Sequence, residues 1–219
     1  MVVGRLLVFD LDGTLIDSRR DLADAANALI VERGGAPLPV DAIAGMVGEG
    51  AALLVRRALR AAGTDLNVER DLPRFLALYD ERLLAHTRLY DGTREMLEAV
   101  RPVANLAILT NKPQRPTERI LDGLGIASFF TQVIGGDTVH GRKPDPAGLN
   151  GLMQEMGAST DSTVMIGDSA IDLRTARAAA VRCCLVRYGF GFATAEKELR
   201  GDELLIDEPR QLADVVSRS

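Results

Sequence analysis

Short runs of aliphatic residues recur along the chain and end at polar or glycine-rich positions. Such runs are typical of strands that are buried on both faces of a parallel sheet. The four clearest runs are residues 6–9, 106–109, 164–166 and 185–186. Residues 131–134 give a weaker fifth strand, and residues 204–206 are predicted as an edge strand.

Helical patterns fill most of the intervals between these runs. Apolar residues spaced three and four apart in residues 146–156, for example, indicate one face of a helix. Further helices are predicted over residues 93–100, 116–124 and 169–180. Strands that alternate with helices predict right-handed crossovers, and therefore an α/β fold with a doubly wound parallel sheet.

One interval, residues 17–85, breaks the alternation because it shows helical patterns and no predicted strand. Two stripes of apolar residues at helical spacing run through it, within residues 22–30 and 72–83. Shorter helices are predicted between them, over residues 37–46 and 51–61. The interval therefore predicts a small helical bundle.

The position of this bundle, directly after the first strand, predicts the domain organisation. We expect an α/β core made of residues 1–16 and 86–219, with residues 17–85 inserted as an α-helical cap domain. An insertion that leaves and rejoins one edge of a sheet is expected to lie over the strand ends as a lid.

The composition narrows the class of protein. The 219 residues are 47% hydrophobic and 26% charged, which suffices for a substantial core. The net charge of −5 argues against a nucleic-acid or membrane-binding surface, so we expect neither partner. Cys183 and Cys184 are the only cysteines, and adjacent cysteines do not form an ordinary structural disulfide. Without a membrane-span pattern or a signal-peptide pattern in the first ten residues, we expect a cytoplasmic monomer or homodimer.

Polar residues that can carry chemistry follow the predicted strands. Ligands of open α/β sheets bind beyond the carboxyl ends of the strands, so these residues are expected to meet at one edge. They are Asp10 and Asp12 after the first strand, Thr110, Asn111 and Lys112 after the second, and Asp168 and Asp172 after the run at 164–166, with Lys143 in a separate loop.

The charges of these residues predict a metal and an anionic ligand. Asp10 and Asp168 repel each other at the strand ends unless a cation lies between them. Mg²⁺ fits because it binds carboxylates, water and phosphate oxygens. With a phosphate dianion bound as well, Mg²⁺ and Lys143 balance most of the negative charge. Backbone N–H groups of the turn at Gly13 and the hydroxyl of Thr110 are expected to stabilise the remainder.

The two acids Asp10 and Asp12 are expected to do different jobs. Asp10 is placed to attack phosphorus as a nucleophile, while the metal screens the repulsion between the two anions. The turn at Gly13 can direct Asp12 toward the leaving oxygen, where it donates a proton and later accepts one from water. Taken singly, each acid has an ordinary explanation as a turn or helix-capping residue. Their joint occurrence with Lys143 and Asp168 favours catalysis.

The ordered set of motifs resembles the haloacid dehalogenase-like phosphatases. The matching stretches are FDLDGTLIDS at residues 9–18, LTN at 109–111, the lysine of RKPDP at 142–146 and GDSAIDL at 167–173. The helical insertion is similar to the α-helical cap of that superfamily. The resemblance implies a Mg²⁺-dependent enzyme that acts on a small anionic phosphomonoester.

The resemblance also implies roles for individual residues. Asp10 would become an aspartyl phosphate and Asp12 would be the acid/base. The remaining roles are phosphate binding by Gly13, Thr110, Asn111 and Lys143, Mg²⁺ binding by Asp10, the backbone carbonyl of Asp12 and Asp168, outer-shell support by Asp172, and substrate contact from the cap by Gly48, Glu49 and Gly50.

Within the superfamily the chain resembles the bacterial phosphoglycolate phosphatases, through stretches such as residues 46–59, 135–146 and 188–191. The substrate expected from this resemblance is 2-phosphoglycolate. Phosphatases of other small phosphates, such as N-acetylmuramic acid 6-phosphate, and sugar-phosphate mutases remain alternatives. A receiver-like switch that is phosphorylated without turnover is a further alternative, although it needs neither Asp12 nor the insertion. One departure from the family is AAAVRC at residues 178–183, where a glycine usually follows the alanines.

Overall fold

The structure of the chain, a computed structural model, describes residues 4–65 and 67–217. Residues 1–3, part of the segment tested above for a signal peptide, lie outside the described residues. The strands are β1 (Leu6–Phe9), β2 (Ile16–Asp17), β3 (Arg88–Leu89), β4 (Asn105–Leu109), β5 (Gln132–Ile134), β6 (Thr163–Gly167), β7 (Arg182–Val186) and β8 (Leu204–Ile206).

Six of these strands form one parallel sheet in the order β5-β4-β1-β6-β7-β8. All six predicted strands are present, and β8 lies at the sheet edge as predicted. β1 lies in the centre and is completely buried, with Leu7 and Phe9 in one apolar cluster and Leu6 and Val8 in the other. Both faces of the sheet are therefore covered, and the predicted α/β fold is confirmed.

The helices alternate with the strands of the sheet except in one interval. They are α1 (Arg19–Glu32), α2 (Val40–Ala44), α3 (Ala51–Ala61), α4 (Val68–Asp80), α5 (Thr93–Val100), α6 (Gln114–Gly123), α7 (Ala147–Met156), α8 (Ala170–Ala178), α9 (Phe192–Glu196) and α10 (Gln211–Ser217), with a 3₁₀ turn at Ala127–Phe129. No helix of the described residues is long and apolar enough to cross a membrane. Helices α9 and α10 are short and were not predicted from the sequence.

Helices α1–α4, here called the cap helices, follow β1 and pack against one another through the predicted apolar stripes. Their connections to the sheet pair as a small antiparallel ladder, with Ile16 opposite Leu89 and Asp17 opposite Arg88. No strand was predicted in residues 17–85. Asp17, the first residue of that interval, lies in β2, so the prediction is wrong at this residue. A two-residue strand carries too little periodicity to be recognised from sequence.

Asp21, in the first turn of α1, ties the two connections together. Its fully buried carboxylate accepts hydrogen bonds from the N–H groups of His86 and Thr87 and from the Thr87 hydroxyl. Burial alone would raise the pKa of Asp21, but these hydrogen bonds outweigh burial and lower it. The ionised carboxylate thus fixes the chain entering the cap helices to the chain leaving them.

The departure from the family at residues 178–183 has a structural consequence. α8 ends in a Schellman motif, in which the N–H of Val181 donates to the carbonyl of Ala176 and the N–H of Ala180 to that of Arg177. The motif requires a left-handed residue, and Ala180 has φ of 55°. A Cβ makes this conformation costly, by about 1–2 kcal/mol.

We therefore expect Ala180→Gly to raise the free energy of unfolding by about 0.5–1 kcal/mol, since relief of strain exceeds the entropy that glycine adds to the unfolded chain. Urea denaturation measures the change. Ala178→Gly, at the last helical position of α8 and also exposed, is the matched control and should destabilise by a similar amount. A loss of stability in both variants would contradict the strain at Ala180.

Candidate active site

The carboxyl ends of the central strands bring the predicted site residues together beneath the cap helices. One pocket of about 510 Å³, including its open mouth, has a polar floor and a largely apolar wall. The floor comprises Asp10, Asp12, Thr110, Asn111 and Lys112, and the wall comprises Leu22, Val47, Gly48, Gly50, Ala51, Leu54, Phe75, Leu76, Tyr79 and Pro113. The prediction that these polar residues share one edge of the sheet is thus met.

Asp10 lies against Lys143, whose ammonium group also contacts Asp172. The Lys143 Nζ atom is 2.9 Å from Asp10 Oδ1 and 2.6 Å from Asp172 Oδ1. Burial raises the pKa of Asp10 to about 6, against the opposing attraction of Lys143. Burial lowers the pKa of Lys143, but attraction to Asp10 and Asp172 outweighs it, so the pKa rises and the lysine stays charged.

Asp172 connects this lysine to helix α8. Its second oxygen accepts hydrogen bonds from the N–H group and the hydroxyl of Ser169, which closes a capping box at the start of the helix. Both oxygens of Asp172 are thus occupied by protein groups. Asp172 is therefore arranged to position Lys143, in keeping with a supporting role.

Asp12 has a lysine of its own. Lys112 Nζ donates to both oxygens of Asp12 at 3.0 Å, and the Ser18 hydroxyl donates to Oδ1. The same ammonium group lies 4.6 Å from the centre of the Tyr79 ring in α4. Asp10 and Asp12, which are two positions apart in the sequence, are therefore paired with two different lysines.

A divalent cation fits the acidic cluster formed by Asp10, Asp168 and Asp172. Carboxylate oxygens of these three buried residues lie within 4.8 Å of one another. Burial, followed by repulsion from Asp172 and Asp10, raises the pKa of Asp168 well above its usual value. Counting Asp12, four carboxylates share Lys112 and Lys143, which leaves two negative charges without a balancing cation. Hard oxygen ligands in excess over cations are what a divalent metal requires.

Three glycines provide the space for the Asp168 side chain. A Cβ on Gly13, which has φ of +84°, would lie 2.1 Å from Asp168 Oδ2, and one on Gly189 would lie 2.2 Å from Asp168 Cβ. The N–H of Gly191 donates to Asp168 Oδ2 at 2.7 Å. N–H groups of the turn at Gly13 were predicted to stabilise phosphate, and the N–H of Gly13 itself donates to the Ile16 carbonyl at 2.9 Å. The turn needs glycine here because a side chain would displace Asp168.

Asn111 joins the Lys143 loop to the loop that precedes α3. Its amide exchanges hydrogen bonds with the backbone of Lys143 and donates to the carbonyl of Gly48 at 2.9 Å. Gly48 and Gly50, which were predicted to contact substrate, line the pocket. Glu49 is not among the lining residues, and its carboxylate pairs with Arg57 of α3.

Sequence reasoning did not assign functions to Lys112 and Tyr79. Lys112 stood in the motif LTNKP after a strand, which was the available signal. Tyr79 belonged to an apolar helical stripe and therefore gave no signal beyond that of a core residue.

An α/β sheet with acids and lysines beyond its central strands, beneath a helical insertion, defines a class of hydrolases. The sequence profile of the haloacid dehalogenase-like hydrolases matches residues 7–186. The chain belongs to this family.

Similar proteins agree with this assignment. The chain is 42% identical to a phosphoglycolate phosphatase of Rhodospirillum rubrum over 194 residues, which cover 85% of this chain and 80% of the relative. It is 39% identical to a phosphoglycolate phosphatase of Pseudomonas putida over 216 residues, which cover 95% and 78%. A crystal structure from Haemophilus somnus, described as a predicted phosphoglycolate phosphatase, superposes with a TM-score of 0.90 at 27% identity and covers 97% of both chains.

Proposed function

We propose that the protein is a Mg²⁺-dependent phosphomonoesterase that hydrolyses 2-phosphoglycolate to glycolate and phosphate. The observation that carries the proposal is the placement of Asp10 and Asp12 on one pocket, each with a separate buried lysine. The relatives named above support the choice of substrate.

Asp10 is the nucleophile and Asp12 the acid/base in this proposal. An oxygen of Asp10 attacks phosphorus, the ester bond breaks, and Asp12 donates a proton to the departing glycolate oxygen. A water molecule then gives a proton to Asp12 and attacks the phosphoryl group, which breaks its bond to Asp10 and releases phosphate. The second step thereby returns to Asp12 the proton that it donated in the first.

Lys143 and Thr110 hold the phosphoryl group in this proposal. Lys143 is fixed between Asp10 and Asp172, so its charge lies beside the reacting oxygen without reorganisation. Asp10, the backbone carbonyl of Asp12 and Asp168 would hold Mg²⁺, which when bound reduces the repulsion between Asp10 and the phosphate. Asn111 would keep the Lys143 loop in place through its two hydrogen bonds with the Lys143 backbone.

Residues 17–85 act as a cap domain over this site in our proposal. The cap helices supply most of the apolar wall of the pocket, and the carbonyl of Gly48 is hydrogen-bonded to Asn111 on the sheet side. Gly48 and Gly50 would contact substrate through their backbone. Closure would exclude water while the ester bond breaks.

A comparison of kcat/KM over small phosphomonoesters with Mg²⁺ tests the function. We expect kcat/KM to be higher for 2-phosphoglycolate than for N-acetylmuramic acid 6-phosphate and the hexose phosphates. Inorganic phosphate should be released from each substrate. A preference of two orders of magnitude for a sugar phosphate would overturn the substrate, and formation of an isomeric sugar phosphate would indicate a mutase. An aspartyl phosphate that persists without turnover would instead indicate a switch.

Asp12→Asn is expected to lower kcat for 2-phosphoglycolate by about 10²–10⁴-fold, because no proton reaches the alkoxide. The loss should be smaller for p-nitrophenyl phosphate, whose leaving group departs without a proton. Steady-state rates on the two substrates measure the difference, with circular dichroism to check the fold. Equal losses on both substrates would remove Asp12 from proton transfer.

A further inference from the structure

Lys112 is the lysine that lines the pocket, and no other lysine or arginine among the described residues does so. Its side chain is only 3% exposed, although a lysine is rarely buried without a function or a partner. An ammonium group has three N–H donors. Its hydrogen bonds of ordinary geometry go to Asp12 alone, so donor capacity remains on the side of the ammonium group that faces Tyr79.

Tyr79 provides a second polar group in the same pocket. Its hydroxyl is buried, and no hydrogen bond of ordinary geometry reaches it from the described residues, although Lys112 lies close by. Burying a hydroxyl without a partner is destabilising, and a polar ligand that bonds to it offsets that loss. Because the Tyr79 ring lies over the Lys112 ammonium, the lysine and the tyrosine border the same region of the pocket.

The chemistry of the substrate places its second anion in this region. In 2-phosphoglycolate the carboxylate carbon lies two bonds from the ester oxygen. Asp12 must approach that ester oxygen to protonate it, and Lys112 Nζ is 3.0 Å from Asp12. The pocket wall is largely apolar, with Leu22, Leu54 and Phe75 among its residues. A carboxylate entering such a wall requires a cation to offset its desolvation.

We propose that Lys112 Nζ and the hydroxyl of Tyr79 form a carboxylate-binding subsite that selects phosphomonoesters with an anionic leaving group. The subsite rests on the proposed function, since it assumes that Asp10 takes the phosphoryl group and Asp12 faces the ester oxygen. Lys112 then has two contacts at once, with Asp12 and with the substrate carboxylate. Tyr79 extends the selection to the cap helices, because it belongs to α4.

A matched pair of substrates tests the subsite. 2-Phosphoglycolate and 2-hydroxyethyl phosphate differ only in a carboxylate against a hydroxymethyl group. We expect Lys112→Met to reduce the ratio of their kcat/KM values by about 10–100-fold, and Tyr79→Phe by about 3–10-fold, as for loss of hydrogen bonds to a charged group. Lys112→Arg, which keeps the charge, should retain most of the ratio. If Lys112 only balances Asp12, Lys112→Met will slow both substrates equally and the subsite is wrong.

A binding measurement decides the matter if Lys112→Met removes all turnover. Calorimetry in an Asp10→Asn background compares 2-phosphoglycolate with inorganic phosphate, with and without Lys112→Met. The subsite requires an affinity loss of about tenfold or more for 2-phosphoglycolate and less than about threefold for phosphate. Equal losses overturn it. Failure of the proposed function is distinguishable, because the unmodified protein would then show no preference for 2-phosphoglycolate over 2-hydroxyethyl phosphate.

Discussion

Asp10→Asn is expected to abolish hydrolysis of 2-phosphoglycolate, with kcat reduced by at least about 10⁴-fold, while the fold is retained. The amide cannot form the acyl phosphate. Asp172 also contacts Lys143, but both of its oxygens accept hydrogen bonds from protein groups. The substitution is nearly isosteric and removes a buried charge that burial disfavours. We therefore expect no loss of stability in the metal-free protein.

Phosphate release and incorporation of ³²P into denatured protein measure the two halves of this expectation. Asp161→Asn is the matched control, since Asp161 is an exposed acid in the turn before β6, away from the site, and should leave kcat unchanged. Retention of more than a few per cent of activity in Asp10→Asn, in a preparation free of other phosphatases, would show that another group is the nucleophile.

The sheet and its catalytic edge were predictable because they depend on local patterns. A strand covered on both faces, such as β1, must be a continuous apolar run, and the residue after it must then lie at the sheet edge. Asp10, Thr110 and Asp168 follow β1, β4 and β6 directly, so their proximity follows from the parallel order of the strands. Their roles in catalysis remain predictions that the proposed experiments test.

The partners of these residues were not predictable in the same way. The contact of Lys112 with Asp12 spans one hundred positions of sequence, and that of Lys112 with Tyr79 depends on how α4 packs over the sheet. The pattern of α4 marks Tyr79 as apolar but does not reveal which cation its ring covers. The acceptor of the Gly13 N–H, the Ile16 carbonyl, was not predictable for the same reason. A turn residue shows its need for glycine in sequence, but not the acceptor that its N–H takes.

Removal of divalent metal is expected to abolish phosphatase activity, and addition of Mg²⁺ is expected to restore that activity. With EDTA, kcat should fall by at least about 10³-fold, because Asp10 and the phosphate dianion then repel each other without screening. Differential scanning calorimetry gives a second readout: Mg²⁺ should raise the Tm of the unmodified protein by preferential binding to the folded state. An unchanged Tm together with activity in EDTA would contradict the metal site.

The metal-free protein should also show a characteristic dependence of stability on pH. Burial raises the pKa of Asp10 from 3.8 to about 6 in the folded state, and it raises that of Asp168 in the same direction. Between pH 4 and 6 the folded state therefore binds more protons than the unfolded chain at these positions, and their contribution to stability falls as pH rises. The contribution is fully present below about pH 4 and is lost as pH passes through about 6, with a change of roughly 2–3 kcal/mol from Asp10.

Other carboxylates, such as Asp71 and Glu203, have lowered pKa values and oppose this slope at the acidic end. The informative quantity is therefore the difference in free energy of unfolding between the unmodified protein and Asp10→Asn, both in EDTA. Asp71 and Glu203 are common to both proteins, so their contributions cancel. We expect the unmodified protein to lose stability relative to Asp10→Asn from pH 4.5 to 7, and saturating Mg²⁺ to reverse that loss. If the difference in free energy of unfolding stays constant with pH, the pKa of Asp10 is not raised in the folded protein. The electrostatic argument for a divalent cation at this site would then fail as well.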